Sequence, residues 1–142
     1  MLAPRNDEYN MKNCLFCKII AGEIPSYKVY EDEHAYAFLD IHPIATGHTM
    51  VVPKAHGDTI LDLEPEVVAN LFRSVQKVTQ LVVDTIKPDG FLLGVNDEIA
   101  RDVPHMHVHI IPRWLGDEGG SIHSIRPKGT PEPAEVAIKH FN

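Results

Sequence analysis

Three histidines at alternate positions are the feature that most constrains how this chain can fold. His105, His107 and His109 lie in the run 104–113, and the residues between them are apolar. In a β-strand, side chains alternate between two faces and each residue advances about 3.3 Å, so the three imidazoles would line one face over about 13 Å. Because protonated imidazoles repel one another and gain nothing by packing together, the pattern predicts a functional site on a strand rather than part of the core.

The composition indicates one globular domain and excludes a broad class of partners. The chain has 142 residues, of which 44% are hydrophobic and 23% are charged, which suits a single core. Its formal net charge is -7 with the histidines neutral, whereas a general nucleic-acid-binding protein normally presents a basic face. We therefore expect no nucleic-acid partner, and we expect local imidazoles, arginines and backbone N–H groups to hold any phosphate-bearing ligand.

The sequence also lacks the marks of a secreted or membrane protein. Residues 1–10 have no apolar stretch of the kind found in signal peptides, and no run approaches the roughly 18 apolar residues of a membrane span. These features predict a cytoplasmic protein with no membrane partner. In a reducing compartment the two cysteines, Cys14 and Cys17, are better interpreted as metal ligands or redox groups than as a disulfide.

The periodicity of apolar residues places the histidine strand in a mixed fold. A short helix is predicted over 14–20, capped by Asn13, and a long helix from 64–65 to 86, where apolar residues recur three or four positions apart. Strands are predicted over 27–30 and 35–39, which form a hairpin, and over 49–52 and 91–95. Because strands and helices do not alternate as in parallel βαβ units, we expect an antiparallel α+β domain.

Two chemistries fit three imidazoles on one face of a strand. In the first, all three bind a catalytic zinc ion that keeps an open fourth position. In the second, one imidazole attacks phosphorus, since its ordinary pKa near ~6.5 leaves it largely neutral at pH 7, and its neighbours bind the phosphate. The Cys14-x-x-Cys17 pair raises a separate question, because it would supply two thiolates of a tetrahedral zinc site and histidines would have to supply the rest.

Four motifs, in order along the chain, resemble the histidine triad family of nucleotidyl hydrolases and transferases. The run 105–111 is similar to the family signature of three histidines separated by apolar residues. The segments 14–25, 39–41 and 52–56 resemble the family's opening segment, its Leu-Asp-Ile element and its Val-Pro-Lys-x-His element. The resemblance implies an antiparallel α+β domain over 13–116, with one long and one short helix and a sheet continued across a homodimer. Residues 1–12 would form an N-terminal tail and residues 117–142 a C-terminal arm.

The same resemblance implies a role for each motif residue. His107 matches the nucleophile that forms a covalent nucleotidyl intermediate, and His109 matches the imidazole that contacts the phosphate and assists the leaving group. Asp40 and Ile41 match the positions that receive the ribose hydroxyls and the base, and Asn96 matches an asparagine on the phosphate side of the ligand. A structural zinc ion is implied at four residues that match the family's metal ligands: Cys14, Cys17, His56 and His105.

One segment departs from the family pattern. Family members usually carry a glycine-bearing loop that ends in glutamine shortly before the triad, whereas residues 96–103 contain no glycine and place Arg101 at the glutamine position. Arg101 is expected either to donate to phosphate oxygens through its forked guanidinium or to pair with Asp97 or Asp102. Histidines without motif support, His48 among them, are predicted to be ordinary surface or strand-edge residues.

The function implied is hydrolysis of a purine nucleoside 5′-phosphoramidate or a related AMP ester through a nucleotidyl intermediate on His107. A diadenosine polyphosphate hydrolase is the alternative within the enzyme class, because Arg101 would suit a longer anionic chain. A nucleotide-binding protein with little catalysis is the alternative from a different class, since binding needs a phosphate donor but no nucleophile. The expected partners are the purine nucleotide substrate and a second copy of the chain.

Overall fold

A five-stranded antiparallel sheet forms the centre of the protein. The computed structural model describes residues 11–141, so the predicted tail 1–12 lies outside the described residues except for its last two positions. The predicted α+β fold is confirmed, with a short helix α1 (Leu15–Ile20), a long helix α2 (Pro65–Ile86) and a further short helix α3 (Ala134–Ala137) in the arm. The strands follow the spatial order β1-β2-β3-β5-β4. They are β1 (Lys28–Glu31), β2 (Ala35–Leu39), β3 (Thr49–Pro53), β4 (Gly90–Gly94) and β5 (Val108–Arg113).

Strands β2 and β3 are buried because a helix packs on each face of the sheet. Every residue of β3, and every residue of β2 except the last, is buried. On one face, Ala35, Ala37 and Val51 belong to the main core together with residues of α2. On the other face, Phe38 and Val52 pack with residues of α1. The apolar character of both strands on both faces is therefore a consequence of this three-layer arrangement.

Helix α2 begins and ends where the sequence places helix signals. Pro65 occupies the first turn, where its missing N–H costs no hydrogen bond, and Lys87 closes the helix with a φ of 54° and an N–H that donates to the Val83 carbonyl. One stripe of the helix is buried against the sheet: Leu71, Val75, Val78 and Val82. Since this stripe packs with Val108 and Ile110, the opposite face of β5 remains for the histidines. Among residues 11–141, no helix has both the length and the apolarity that crossing a membrane requires.

Helix α1 is capped by Cys14, so the predicted cap at Asn13 is wrong. The Cys14 Sγ accepts a hydrogen bond from the Cys17 N–H at 3.4 Å, whereas Asn13 lies among the helical residues 11–13 that precede α1. Cys14 is buried, and its sulfur lies 3.4 Å from His105 Nδ1. This contact between distant parts of the chain decides where the helix begins, and a local capping preference cannot anticipate it.

Strand β5 begins later than the sequence predicts. Its ladder starts at Val108, so His109 is the one motif histidine that lies within the strand. Just upstream, the Met106 N–H donates to the Gly57 carbonyl at 2.7 Å, outside the sheet. The alternation of side chains persists through this extended segment, since Met106, Val108 and Ile110 all join the main core. The prediction is therefore wrong about the strand boundary but correct about which side chains share a face.

A single carboxylate ties the turn between β1 and β2 to helix α2. Asp32 accepts hydrogen bonds from the hydroxyls of Ser74 at 2.6 Å and Tyr30 at 2.9 Å, and from the N–H groups of His34 and Ala35. Burial opposes its ionisation, but the four donors outweigh burial and lower the pKa of Asp32 to about 2. The ionised form is therefore the one that this corner of the fold stabilises.

Asp32→Asn is expected to destabilise the protein in a pH-dependent way. Because the pKa of Asp32 is about 2 in the fold against an ordinary 3.8, its contribution is complete above pH ~4 and is lost as the pH falls through about 2. We expect the substitution to lower the free energy of unfolding by about 1 kcal/mol at pH 7, because water screens this partly exposed site. Urea titrations of both proteins at several pH values measure the difference, and an equal difference at pH 7 and pH 2 would contradict the ionic role.

Candidate functional site

Four ligand atoms converge where α1 meets the segment after β3 and the start of the histidine motif. They are the Sγ atoms of Cys14 and Cys17 and the Nδ1 atoms of His56 and His105, and all lie within 4.8 Å of one another. We call these four residues the Cys/His cluster. The two nitrogens are 3.2 Å apart, and the sulfur–nitrogen separations include 3.3, 3.4 and 3.5 Å. A tetrahedral site with metal–ligand distances of ~2.0–2.3 Å has edges of about 3.3–3.8 Å, so these residues fit a metal ion.

Hydrogen bonds at the Nε2 atoms of the two imidazoles determine which tautomer each neutral ring adopts. His105 Nε2 donates to the Pro53 carbonyl at 2.8 Å, and His56 Nε2 donates to the Asp58 carboxylate at 3.2 Å. Each neutral ring therefore carries its proton on Nε2 and presents an unprotonated Nδ1 to the cluster. Two lone pairs 3.2 Å apart repel each other unless a cation lies between them, and this favours a metal-binding role.

Burial shifts the pKa values of the groups in this cluster. Burial raises the pKa of Cys17 to about 12, and the neighbouring Cys14 adds to the effect. Burial also lowers the pKa of His105 to about 4, so this ring is neutral at pH 7. A neutral imidazole is ready to bind a metal, whereas the thiol needs the charge of a cation before it releases its proton.

His107 lies next to the cluster and offers a different nitrogen to a ligand. Its Nδ1 donates to the His105 carbonyl at 2.6 Å, which leaves Nε2 unprotonated in the neutral ring. The ring of Phe16 stands edge-on to it at 5.1 Å between centroids, and the ring of His109 lies at 5.0 Å. His107 is only 5% exposed, and the hydrogen bond at Nδ1 and the two neighbouring rings restrict its rotation. The direction of its Nε2 lone pair is therefore fixed.

A chain of hydrogen bonds assigns the proton of His109. The Ile44 N–H donates to His48 Nδ1 at 3.3 Å, so neutral His48 carries its proton on Nε2. That nitrogen lies 2.9 Å from His109 Nδ1 and 3.5 Å from the Asp40 carboxylate. Since His48 Nε2 donates, His109 Nδ1 accepts and the proton of His109 resides on Nε2. The site therefore pairs an unprotonated Nε2 on His107 with an Nε2–H donor on His109.

Burial keeps His48 and His109 neutral at physiological pH. It lowers the pKa of His109 to about 4 with further lowering by the imidazoles of His107 and His48, while the carboxylates of Asp40 and Asp102 act in the opposite direction. Burial likewise lowers the pKa of His48, against an opposing effect of Asp40. At pH 7, His109 is thus a neutral hydrogen-bond donor rather than a cation.

The structure brings two of the predicted nucleotide-binding residues to these imidazoles. Asp40, His48 and His109 place one ligand atom each within 4.8 Å of the others. Asn96 lines a cavity of about 230 Å³ together with the same two histidines. Ile41 follows Asp40 and is 71% exposed, so its side chain is open to an incoming ligand.

Arg101 contacts the segment that follows His56, beside the Cys/His cluster. Its guanidinium donates to the Asp58 carbonyl at 3.1 Å and lies 3.5 Å from the Glu98 carboxylate. The loop that carries it keeps a glycine-like backbone without glycine, because Glu98 and Ala100 have φ values of 64° and 65°. Arg101 therefore pairs with Glu98 rather than with the predicted Asp97 or Asp102, and donation to phosphate stays a prediction.

Sequence reasoning missed two residues of the site, His48 and Phe16. The prediction of His48 as a surface or strand-edge residue is wrong, because it is 4% exposed and bonded to His109. Strand β3 pairs with β5 so that Met50 lies opposite His109. His48 comes two residues before Met50 and therefore faces the same side of the sheet, diagonal to His109. The pairing register carries this signal, and the local sequence around His48 does not.

Three imidazoles in one motif thus have three different surroundings. His105 is bonded within the Cys/His cluster, whereas His107 and His109 lie beside it with other hydrogen-bond partners. A catalytic metal bound by all three imidazoles does not fit this arrangement. The fixed lone pair of His107 and the adjacent N–H of His109 instead suit nucleophilic attack on a centre that carries anionic oxygens.

The sequence of this chain is similar to a protein-family model and to several named proteins. The family model described as HIT domain matches residues 21–114. A Bacillus subtilis relative named Protein hit is 46% identical over 114 residues, which cover 78% of this chain and 79% of that protein. An Arabidopsis thaliana adenylylsulfatase is 40% identical over 103 residues, covering 71% and 52% of the two chains. A Candida albicans adenosine 5′-monophosphoramidase is 38% identical over 107 residues, covering 71% and 70%.

The fold of this chain is also similar to those of solved structures. The crystal structure of a HIT family member from Bacillus subtilis superposes with a TM-score of 0.78 at 39% identity, covering 91% of this chain and 92% of that one. A Zn-bound histidine triad family protein from Mycobacterium smegmatis superposes with a TM-score of 0.71 at 36% identity, covering 76% and 80%.

Proposed function

Because this chain belongs to the histidine triad (HIT) family, we propose that it hydrolyses purine nucleoside 5′-phosphoramidates or related AMP esters through a nucleotidyl intermediate on His107. One observation carries the proposal: the hydrogen bond from Nδ1 to the His105 carbonyl leaves the lone pair of a neutral His107 on Nε2, and the contact with His48 leaves the proton of a neutral His109 on its Nε2. Attack on phosphorus requires the first, and the second stabilises the charge on the phosphoryl oxygens. The relatives named monophosphoramidase and adenylylsulfatase support AMP derivatives as the substrate class.

The reaction consists of two displacements at the α-phosphorus. In the first, the His107 Nε2 lone pair forms an N–P bond, the bond to the amine breaks, and the amine leaves with that electron pair and a proton from the acid form of the phosphoramidate. In the second, water attacks the same phosphorus, the P–Nε2 bond breaks, AMP departs, and the proton of the water passes to solvent. The His105 carbonyl, bonded to His107 Nδ1, stabilises the positive charge on the ring between the two steps.

The residues around the two imidazoles would hold the AMP portion of the substrate. Asp40 is placed to accept hydrogen bonds from the ribose hydroxyls, and the exposed side chain of Ile41 to contact the base. Asn96 lines the cavity at His109 and would donate to the phosphate. Arg101 would join it only if its guanidinium leaves Glu98.

We assign the Cys/His cluster to a structural zinc ion bound by Cys14, Cys17, His56 and His105. Two thiolates and two imidazoles form a donor set that zinc prefers, and the similar Mycobacterium smegmatis protein is described as Zn-bound. The ion would stabilise the fold by joining α1 to the segments that carry His56 and His105, and it would take no part in the chemistry. Two zinc-bound thiolates would agree with the cytoplasmic location expected from the sequence, because thiols stay reduced in that compartment.

We further propose a homodimer whose sheet continues at β4. This strand lies at the edge of the sheet, and its Phe91 and Leu93 are 48% and 44% exposed. An apolar edge strand readily pairs with another strand unless something covers it. Sedimentation of the protein at micromolar concentration tests this proposal, which predicts twice the mass of one chain.

The substrate proposal is tested by supplying adenosine 5′-phosphoramidate and diadenosine tetraphosphate together at equal concentration. Chromatography of the products is expected to show AMP formed from the phosphoramidate while most of the dinucleotide remains. Selective loss of the dinucleotide, with AMP and ATP as products, would instead indicate a polyphosphate hydrolase. Tight binding of AMP without turnover of either compound would indicate a nucleotide-binding protein with little catalysis.

His48→Ala is expected to lower kcat by about 10- to 100-fold, because His109 then loses the donor that keeps its proton on Nε2. KM should change less than kcat, since the shortest contact of His48 is with His109 at 2.9 Å and its contact with the Asp40 carboxylate is longer, at 3.5 Å. His48→Gln restores an N–H donor and should recover a large part of kcat. Steady-state kinetics of both variants, with the exposed His34→Ala as a control, measure the effect; equal losses in the Ala and Gln variants would contradict a positioning role.

A further inference from the structure

The segment 56–58 lies between the Cys/His cluster and the loop 97–101. His56 Nδ1 is one of the four ligand atoms of the cluster, and His56 Nε2 donates to the Asp58 carboxylate at 3.2 Å. The Asp58 carbonyl in turn accepts a hydrogen bond from the Arg101 guanidinium at 3.1 Å. Two hydrogen bonds therefore connect an imidazole of the cluster to this loop, although Asp58 and Arg101 are 43 residues apart in the sequence.

The loop 97–101 adopts a conformation that its own residues disfavour. Glu98 and Ala100 have φ values of 64° and 65°, in the left-handed region that suits glycine. The Oδ1 atom of Asp97 is buried and has no hydrogen-bond partner within residues 11–141. Because left-handed backbone and an unpaired buried oxygen both cost free energy, contacts with other parts of the chain are needed to hold the loop in this conformation.

The side chain of Arg101 supplies such contacts. It is 14% exposed, and besides the Asp58 carbonyl it lies 3.5 Å from the Glu98 carboxylate. The guanidinium therefore bonds at the same time to a left-handed residue of the loop and to the segment that follows the metal-binding imidazole. Its planar fork has a charge and several N–H donors, whereas glutamine, the usual residue of the family at this position, has a single uncharged NH2 group.

Both ends of the loop lie near His109, one of the two imidazoles assigned to the phosphate. On one side, Asn96 lines the cavity of about 230 Å³ together with His48 and His109. On the other side, burial lowers the pKa of His109, and the Asp102 carboxylate is close enough to oppose this effect. A shift of the loop would therefore move groups on both sides of a bound phosphate.

We propose that Arg101 is a positioning residue that couples the Cys/His cluster to the nucleotide site, so that zinc and AMP each strengthen the binding of the other. This coupling rests on the proposed zinc site and on the proposed binding of AMP. With His56 bound to the metal, the segment 56–58 is fixed, and Arg101 keeps the loop in the conformation that receives the phosphate. With His56 unbound, the segment and the loop relax together and the affinity for AMP falls.

The test measures the Kd for AMP by calorimetry in zinc-loaded and in chelated protein, at a temperature where circular dichroism shows both to be folded. In the unmodified protein, zinc is expected to lower this Kd about fivefold, a modest value for coupling between two sites. Because coupling is reciprocal, competition with a chelator of known affinity should show that saturating AMP lowers the Kd for zinc by the same factor. Equal Kd values for AMP in the two forms would overturn the coupling.

Arg101→Gln should reduce the fivefold ratio toward one, and Arg101→Lys, which keeps a charged donor, should restore part of it. A guanidinium that only binds the phosphate predicts a different result. Arg101→Gln would then weaken AMP binding equally in loaded and chelated protein, and an unchanged ratio would overturn the coupling. The matched control is Arg73→Gln, because Arg73 is an exposed arginine of α2 that bonds to Asn70; its ratio should equal that of the unmodified protein.

Hydrogen exchange followed by mass spectrometry gives a second measurement that does not require the chelated protein. In zinc-loaded protein, peptides that cover 96–102 should exchange several-fold faster in Arg101→Gln than in the unmodified protein, and Arg73→Gln should leave them unchanged. Equal exchange in all three proteins would overturn the positioning role of Arg101. Failure of the proposed function is a separate outcome, because zinc-loaded unmodified protein that binds no AMP would contradict nucleotide binding itself, whatever the exchange of the loop.

Discussion

His107→Ala is expected to lower kcat for adenosine 5′-phosphoramidate by about 10³-fold or more, because the first displacement loses its nucleophile. The hydrogen bond from Nδ1 to the His105 carbonyl fixes the direction of the His107 Nε2 lone pair. Alanine has no side-chain lone pair that could take its place. AMP binding should survive, since the residues assigned to the nucleoside, Asp40 and Ile41, are untouched. Steady-state kinetics combined with calorimetric titration of AMP measure both quantities on the same preparation.

The matched control for this variant is His34→Ala, which removes a partly exposed histidine from the hairpin turn. It should retain the activity of the unmodified protein. Circular dichroism and urea unfolding verify that His107→Ala is folded, because its ring is buried and its removal leaves a small cavity. A folded His107→Ala protein that keeps a tenth or more of the original kcat would contradict the nucleophilic role.

Removal of the proposed structural zinc is expected to have the second large effect, on stability rather than on chemistry. The protein should contain one equivalent of zinc per chain, bound by the Cys/His cluster. Loss of a ligand that favours the folded state by about 3 kcal/mol lowers Tm by about 10 °C in a chain of this size. We therefore expect both His56→Ala and treatment with a strong chelator to lower Tm by that amount, as followed by calorimetry and metal analysis.

Restoration of zinc to the chelated protein should recover the original Tm, and zinc added to His56→Ala should recover little of it. Because two of the four donor atoms are sulfurs, the bound metal should also protect Cys14 and Cys17 from thiol-specific reagents. Protein purified with zinc present that contains less than about half an equivalent per chain, or that keeps its Tm after the metal is removed, would contradict the assignment.

Local signals in the sequence are sufficient for the regular elements. The apolar period of α2, with Pro65 at its start, predicts that helix to within a residue. The hairpin of β1 and β2 and the strand β3 follow from aromatic and branched residues bounded by turns. The alternation of the histidine motif predicts correctly which side chains share a face, because that property depends only on extended backbone. It does not predict where the ladder of β5 begins, because the Met106 N–H bonds to Gly57 instead of to β3.

Some residues of the functional site can likewise be predicted from local sequence, and others cannot. Sequence motifs select Cys14, Cys17, His56 and His105, and the structure brings their ligand atoms together. His48 has no motif of its own, and its place beside His109 depends on the pairing register of two strands that lie some sixty residues apart in the chain. The protons on the imidazoles also depend on contacts that no local pattern encodes, such as the Ile44 N–H on His48 Nδ1. The tautomers can therefore be assigned only from the hydrogen bonds of the folded protein.

The most direct test of the account is to locate the covalent intermediate. The protein is mixed rapidly with adenosine 5′-phosphoramidate, denatured within milliseconds at alkaline pH, and digested for peptide mass mapping. The account predicts one adenylyl group on the histidine motif, with fragmentation assigning it to His107, and none in His107→Ala. Product formation during a single turnover without any adenylylated peptide, or an adenylyl group on His109, would contradict it.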